Sequence, residues 1–129
     1  MKTLILPLFL LSLFLAPSLI AQQLTDEQKA TYAEELTENP EIVGGLKALA
    51  KEVVYPKEAK EKNITGMVFV TAYIGKDGKV DAAETLKSDN KLLDDAAVTA
   101  VKRVTFTPGR INGAAVKARV VVPIKFRLD

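Results

Sequence analysis

The chain has 129 residues and a formal net charge of +2, and it contains no cysteine, histidine or tryptophan. These absences exclude disulfides, a lipid anchor on a thiol, and nucleophilic catalysis that depends on cysteine or histidine. No serine lies in a nucleophile motif, and no basic stripe is interleaved with aromatic residues. We therefore expect a protein that is not an enzyme, holds no cofactor or metal and binds no nucleic acid.

Residues 1–21 have the features of an export segment. Lys2 supplies a positive start, an apolar stretch runs from Leu4 to Leu15, and small residues follow it. The longer stretch from Leu4 to Ala21 has 18 residues, which is just long enough for a membrane span, although Pro7 and Pro17 interrupt it. We expect either a cleaved signal peptide or an N-terminal membrane anchor.

The next segment, residues 22–39, is acidic, with one lysine against five carboxylate side chains. Its apolar periodicity is weak, so it is predicted to be a linker or a loosely packed helix. The remaining residues, 40–129, carry an excess of basic side chains and are sufficient for one small domain.

Two helices are expected at the start of this domain. Leu46, Leu49, Ala50 and Val53 recur at the spacing of a helix with one apolar stripe. A second, short helix is predicted over Pro56–Lys62, because proline is tolerated in the first turn of a helix.

A β-hairpin followed by a helix is predicted in the middle of the domain. Gly66–Ile74 alternates and is apolar on both faces, which favours a central strand. Asp77-Gly78 predicts a hairpin turn, and the irregular apolar spacing of Lys79–Lys87 indicates a second strand with a bulge. A helix follows, and Asp94 or Asp95 suits its start, where a carboxylate accepts unpaired N–H groups; a catalytic carboxylate pair is disfavoured because no partner base exists.

The last strand is the most informative segment. From Ala115 to Leu128, apolar and polar residues alternate over most of the length, so one face is predicted to be buried. Pro123 lies inside this strand and cannot donate a ladder hydrogen bond, which indicates an edge strand. The predicted fold is an α+β domain in which the sheet order is second, first and last strand. The apolar face contains Val116, Ala118, Val120, Val122, Ile124, Phe126 and Leu128.

An edge strand presents unpaired backbone groups that can bind an extended peptide. If Pro123 faces the open side, odd-numbered residues direct their backbone groups outward: Arg119, Val121 and Lys125 donate, whereas Pro123 only accepts. Lys117, Arg119, Lys125 and Arg127 either steer an acidic peptide or protect the edge from aggregation. Tyr55 and Pro56 either line the peptide groove or serve packing and helix initiation.

Several short motifs occur in an order that resembles the C-terminal domain of TonB energy transducers, over about residues 40–128. Pro40-Glu41-x-x-Gly44-Gly45 is similar to the lead-in of the version common in Bacteroidetes-type bacteria. The other motifs are Tyr55-Pro56-Lys57-Glu58-Ala59, Gly66-x-Val68-x-Val70, Asp77-Gly78-Lys79-Val80, Leu93-Asp94-x-x-Ala97, Phe106-x-Pro108-Gly109, Asn112-Gly113 and Val122-Pro123-Ile124-x-Phe126.

The resemblance implies a three-stranded antiparallel sheet with helices packed on one face. It implies a periplasmic domain that binds outer-membrane TonB-dependent receptors, whose extended TonB-box peptide adds beside the last strand. In full transducers the chain is also anchored in the inner membrane, where it joins a proton-driven motor, and a long Pro-rich linker spans the periplasm.

This sequence departs from that pattern. Phe106 stands where the family usually has tryptophan, the 18 residues of 22–39 extend over at most about 60 Å, and the export segment has no polar residue such as histidine. Binding therefore carries over better than energy transduction, and we expect a short stand-alone TonB-like protein. The alternative is a soluble envelope interaction module that forms a homodimer through edge strands.

Overall fold

The computed structural model describes residues 23–128, so the predicted signal peptide or membrane anchor lies outside the described residues. No helix within the described part is long and apolar enough to span a membrane. The helices are α1 (Asp26–Lys29), α2 (Gly45–Glu52), α3 (Lys57–Glu61) and α4 (Asp94–Arg103), with a 3-10 turn at Lys91–Leu93. The strands are β1 (Gly66–Ile74), β2 (Val80–Ser88), β3 (Gly109–Ile111), β4 (Ala114–Val116) and β5 (Ala118–Phe126).

The main sheet has three antiparallel strands in the order β2-β1-β5. This is the predicted order, and β1 is central because both of its faces are covered. Val68 and Val70 are fully buried on one face, and Thr71 and Tyr73 are buried on the other. The last strand is therefore an edge strand of this sheet, as predicted.

The three longer helices pack on one face of the sheet, which confirms the predicted fold class. Leu49 from α2, Ala59 from α3 and Ala97 from α4 belong to the same buried cluster as the even-numbered residues of β1 and β5. Phe126 is 2 % exposed in this cluster. Burial of such side chains is the main favourable contribution to folding.

The predicted irregularity of β2 is confirmed at two points. Its register against β1 shifts between Phe69 and Val70 and again between Tyr73 and Ile74. Leu86 and Asp81 are the β2 residues left without a partner at these shifts. Bulges of this kind twist an edge and reduce its pairing with other chains.

The start of α4 differs in detail from the prediction. Asp94 and Asp95 do lie in its first turn, but no side chain caps it directly. The side-chain cap lies earlier, where Asn90 Oδ1 accepts a hydrogen bond of 2.9 Å from Leu92 N. The cap belongs to Asn90 because the 3-10 turn begins the helical stretch one turn before α4.

The last strand is shorter than predicted, because residues 114–116 pair elsewhere. They form a separate hairpin with β3, and Asn112 and Gly113 make its two-residue turn with φ of 50° and 86°. Positive φ at both positions is the geometry that favours Asn-Gly in tight hairpins. The pairing of β5 with β1 begins only at Ala118, opposite Ile74, so Val116 is not part of the edge strand.

The N-terminal segment (residues 25–39), which was expected to be a linker or a loose helix, packs onto the domain. Thr25 and Gln28 form a capping box at α1. Tyr32 is 5 % exposed, and its ring meets that of Tyr73 edge-on at 5.4 Å. The weak helical periodicity of this segment is explained by the turns and irregular backbone that follow α1, where single side chains make the contacts.

Candidate docking edge

The backbone direction along β5 is fixed by two hydrogen bonds to the N-terminal segment. Arg119 N donates to Ala33 O at 3.0 Å, and Lys117 O accepts from Ala33 N at 2.9 Å. Both groups point away from β1, and the register between β1 and β5 contains no shift. Since neighbouring residues of a strand direct their backbone groups to opposite sides, Val121, Pro123 and Lys125 also present theirs to the outside.

The same contact occupies one end of the edge. Ala33 forms a parallel bridge with Ala118, so the outward carbonyl of Lys117 and the outward N–H of Arg119 already have an intramolecular partner. Arg119 was expected to donate to a bound peptide, and in this conformation its backbone N–H is not free to do so. The open edge (residues 120–126) begins immediately after it.

The side chains of Lys117 and Arg119 also face the N-terminal segment. Arg119 Nε lies 3.4 Å from Glu34 Oε2, and Lys117 Nζ lies 5.4 Å from the centre of the Tyr32 ring. Cations at such distances over aromatic rings are attracted by the ring quadrupole. Of the four basic residues predicted to steer an acidic peptide, Lys125 and Arg127 are exposed and take part in none of the ion pairs found within residues 23–128.

Two cavities flank the open edge. The large cavity has a volume of about 850 Å³ and is bordered by Val121, Thr71 and Leu86. The small cavity has a volume of about 380 Å³ and lies between α2 and the end of β5. Leu46 and Pro123 border both of them, so the two cavities follow the edge along most of its length.

The predicted partner-binding residues are only partly brought together. Val121 and Pro123 border the large cavity, and Lys125 and Tyr55 border the small one. The Tyr55 ring packs edge-on against Phe126 at 5.5 Å, and its hydroxyl donates to the carbonyl oxygen of Ile64. Pro56 caps the start of α3 and, like Lys117, borders neither cavity.

Leu46 borders the candidate site, and the sequence did not predict this. Its place in the helical stripe predicted a core position, yet it is 73 % exposed. The stripe has four members, but Leu49 is the one buried residue of α2. The sequence did contain a signal, because the apolar stripe has more members than the core contact of α2 buries. The members that are not buried border the small cavity.

A polar cluster holds the N-terminal segment on the sheet face opposite to the helices. Lys29 Nζ lies 2.8 Å from Glu84 Oε1, and Tyr73 donates to Glu84 at 2.7 Å. These hydrogen bonds, with that from Lys29 first, lower the pKa of Glu84 below its ordinary range. Burial and then the hydrogen bond to Asp81 raise the pKa of Tyr32 to about 12.

The arrangement is suited to binding an extended chain. The described residues contain no group of His, Cys, Asp and Glu side chains that could hold a metal ion. What the site offers is a row of outward backbone groups at Val121, Pro123 and Lys125, flanked by cavities that accept side chains. This is the geometry that strand addition requires.

Comparison with known proteins gives a consistent result. The family described as Gram-negative bacterial TonB protein C-terminal matches residues 51–128. The chain is 27% identical over 105 residues to Protein TonB of Vibrio cholerae serotype O1. The aligned region covers 79% of this chain and 43% of that relative, so the chain spans less than half the length of the curated relative it matches.

Proposed function

The chain belongs to the TonB C-terminal domain family, whose members act as energy transducers or interaction modules and not as enzymes, and from this premise we propose how it acts. The protein is a periplasmic TonB-like protein that binds an extended peptide of an outer-membrane TonB-dependent receptor. The peptide adds as a fourth strand beside β5, along the open edge.

The observation that carries this proposal is the outward row of backbone groups. Val121 and Lys125 offer an N–H and a carbonyl each, and Pro123 offers a carbonyl to the same side. Main-chain hydrogen bonds supply the affinity in strand addition, and pockets for alternate side chains supply the specificity. Val121, which is 48% exposed, adds apolar surface at the middle of this row.

The wider role is energy-coupled transport across the outer membrane. The relative from Vibrio cholerae carries the name Protein TonB, and receptor binding by the matched region is the part of that role which residues 51–128 would supply. Contact with inner-membrane motor proteins would depend on residues 1–21 being retained as an anchor. Fractionation of cells that express the tagged chain distinguishes a retained anchor from a cleaved signal peptide.

The direct test removes one outward donor from the edge. Val121→Pro deletes an N–H that faces solvent, so the fold should remain while peptide affinity falls. Val121→Ala is the matched control, because it shortens the same side chain and keeps the N–H. The measurements are the dissociation constant for receptor plug-domain peptides and the melting midpoint of each variant. Undiminished binding by a folded Val121→Pro protein would exclude this edge as the site.

A second candidate function is an envelope interaction module that dimerises through the open edge. The exposed Leu46 and Val121 beside unpaired backbone groups favour it, since such an edge also pairs with a second copy. Sedimentation of the wild-type protein over a range of concentrations tests this reading. A dimer that Val121→Pro dissociates, together with no capture of receptor peptides, would favour the module over the receptor-binding protein.

A further inference from the structure

The N-terminal segment is held to the domain in two different ways along its length. Residues 37–43 run antiparallel to residues 105–110, with a bridge between Glu38 and Arg110. Backbone hydrogen bonds of 2.7 to 3.1 Å join the two stretches from one end to the other. Residues 37–43 are therefore a fixed part of the domain.

The part that precedes them, which we call the strap (residues 25–36), is attached by much less. Among the described residues, its backbone bonds to the rest of the domain only through Ala33. The N–H of Ala33 donates to the carbonyl oxygen of Lys117, and its carbonyl oxygen accepts from the N–H of Arg119. The backbone of the strap is therefore joined to the sheet at a single residue.

Side chains supply the remaining contacts of the strap. Lys29 Nζ lies 2.8 Å from Glu84 Oε1, and Glu34 Oε2 lies 3.4 Å from Arg119 Nε. The Glu34 side chain is 68% exposed, and exposed ion pairs contribute little to stability. Tyr32 is the buried anchor of the strap, but it lies outside the core between the sheet and the helices. The strap can therefore leave the sheet while that core stays intact.

The strap occupies backbone groups that an added strand would use. The carbonyl of Lys117 and the N–H of Arg119 lie in the same outward row as the backbone groups of Val121. An added strand that continues past Arg119 toward Lys117 would bond to these groups itself, at the spacing of about 4.8 Å that separates neighbouring strands. Ala33 and such a strand therefore cannot lie beside Arg119 at the same time.

Replacement of the strap by a partner strand conserves the number of backbone hydrogen bonds. Lys117 and Arg119 each lose one bond to Ala33 and gain one to the partner. The net free energy is therefore set by the side-chain contacts that the strap loses and the partner makes. The strap and a long partner strand compete for one stretch of the edge.

We propose that the strap is a displaceable cover of the outer edge. A partner strand long enough to reach Lys117 takes the place of Ala33, and the strap leaves the sheet while residues 37–43 remain paired. The docked strap contains α1 and turns, whereas the released strap extends over at most about 40 Å. Binding at the edge therefore lengthens the connection between the domain and the residues before Thr25. This inference rests on the proposed strand addition, and it adds how occupancy of the edge is regulated.

The first experiment compares partners of different length on the full chain. A strand that pairs with residues 117–126 needs about ten residues, and one that pairs with residues 120–126 needs about seven. The probe is a ten-residue receptor plug-domain peptide whose binding is weakened by Val121→Pro. Two further forms of it are shortened by three residues, one at each end. The measurement is hydrogen exchange of the strap amides with and without each peptide.

The expected result is that release of the strap depends on the length of the peptide. The long peptide should speed exchange at Ala33 and along the rest of the strap at least about tenfold, because these amides lose their partners when the strap leaves. The shortened form that lacks the residues beside Lys117 should still bind, and it should leave exchange in the strap unchanged. The amides of β1 should stay protected with every peptide.

A second experiment weakens the strap at a point away from the edge. Lys29 contacts Glu84 on β2, which lies on the far side of β1 from β5. Lys29→Met should therefore bind the long peptide about two- to tenfold more tightly than the wild-type protein does, and the shortened form equally. Lys62→Met is the matched control, because it removes the same charge and a 3.0 Å ion pair with Glu58 in α3. It should bind both peptides as the wild-type protein does.

A covalent lock tests the converse. Glu34→Cys and Arg119→Cys place two cysteines at an existing contact in a chain that has none, and a short bis-maleimide joins them beside Ala33. The locked protein should bind the long and the shortened peptide with affinities within about twofold of each other. The same double variant, blocked at both cysteines with N-ethylmaleimide, should bind the long peptide more tightly.

The outcomes separate this inference from the proposed function. A long peptide that binds in a manner sensitive to Val121→Pro, but leaves exchange in the strap unchanged, would overturn the cover and leave strand addition intact. Failure of the wild-type protein to capture any peptide at the edge would overturn both. An equal gain in affinity from Lys29→Met and Lys62→Met would assign the effect to net charge and would also overturn the cover.

Discussion

Ala33 and Arg119 join the N-terminal segment to the edge strand, since the carbonyl oxygen of Ala33 accepts a hydrogen bond of 3.0 Å from the N–H of Arg119. The N–H of Ala33 returns a bond to Lys117. A strand that would otherwise expose its full outer edge is thereby covered at its first residues. Any partner strand is restricted to residues 120–126 for as long as this contact persists.

Replacing Ala33 by proline should release this contact. Ala33→Pro removes the N–H that bonds to Lys117, and a hydrogen bond of this kind contributes about 1 kcal/mol. We expect faster hydrogen exchange at Arg119 and across residues 26–36, with the amides of β1 still protected. Ala33→Ser keeps the N–H and serves as the control. Equal exchange rates in both variants would show that the segment is held by its side chains alone.

The raised pKa of Tyr32 predicts a loss of segment docking in alkali. Because the pKa in the folded protein is about 12, against about 10 for free tyrosine, the neutral phenol is favoured by folding. Its contribution is fully present below about pH 10 and is lost as the pH rises through about 12. Phenolate absorbance should show a late-titrating tyrosine.

Tyr32→Phe identifies this tyrosine. The variant should lose the contribution of Tyr32 to the late part of the titration and the hydrogen bond to Asp81, while its ring still packs on Tyr73. A late component that persists unchanged would assign it to another tyrosine. The chain has three tyrosines in all, and Tyr73 also has a pKa raised by burial and by its hydrogen bond to Glu84.

The lowered pKa of Glu84 predicts an opposite dependence in acid. A carboxylate whose pKa falls on folding contributes stability above its unfolded pKa of about 4.3, and this contribution is lost as the pH falls through the lower folded value. Glu84→Gln should therefore flatten the decline of the melting midpoint in that range. Glu61→Gln is the control, because Glu61 is exposed and forms no ion pair within residues 23–128. A decline equally steep in both variants would contradict the assignment.

The sequence was sufficient to predict the order of the strands in the sheet, but not the contacts that the N-terminal segment makes with the sheet. The strand order was predicted from the alternation along Gly66–Ile74 and from Pro123 within the last strand. Both are local properties of the chain, since one is a periodicity and the other a missing N–H. The docking of Tyr32 on Tyr73 joins residues far apart in sequence, and no local pattern encodes it. For the same reason the sequence indicated the open edge but not its coverage by Ala33.

The candidate site was also predictable only in part. The alternation of backbone direction along one strand predicted the outward groups of Val121, Pro123 and Lys125. The position of Leu46 at the cavities could be known only from the packing of α2. Its apolar character predicted burial, since a single sequence does not distinguish a stripe that meets the core from one that meets a cavity. The break of the last strand at Lys117 had a visible cause in Asn112-Gly113, whose hairpin chemistry takes residues 114–116 out of the main sheet.

The backbone at Gly78 lies very close to that of Phe106. Its φ is +86°, and a Cβ at this position would lie 1.9 Å from the carbonyl oxygen of Phe106. Gly113 also has a φ of +86°, but a Cβ there meets nothing within 4 Å. Gly78→Ala and Gly113→Ala therefore share the cost of a left-handed residue, about 1–2 kcal/mol, and differ in the clash alone. The carbonyl oxygen of Gly78 also accepts a 2.8 Å hydrogen bond from Phe106 N, which holds the two backbones together. We therefore expect Gly78→Ala to lower the free energy of unfolding by at least about 2 kcal/mol more than Gly113→Ala does. Urea unfolding of the two variants measures the difference, and equal destabilisation would mean that the turn at Gly78 relaxes away from Phe106 at little cost.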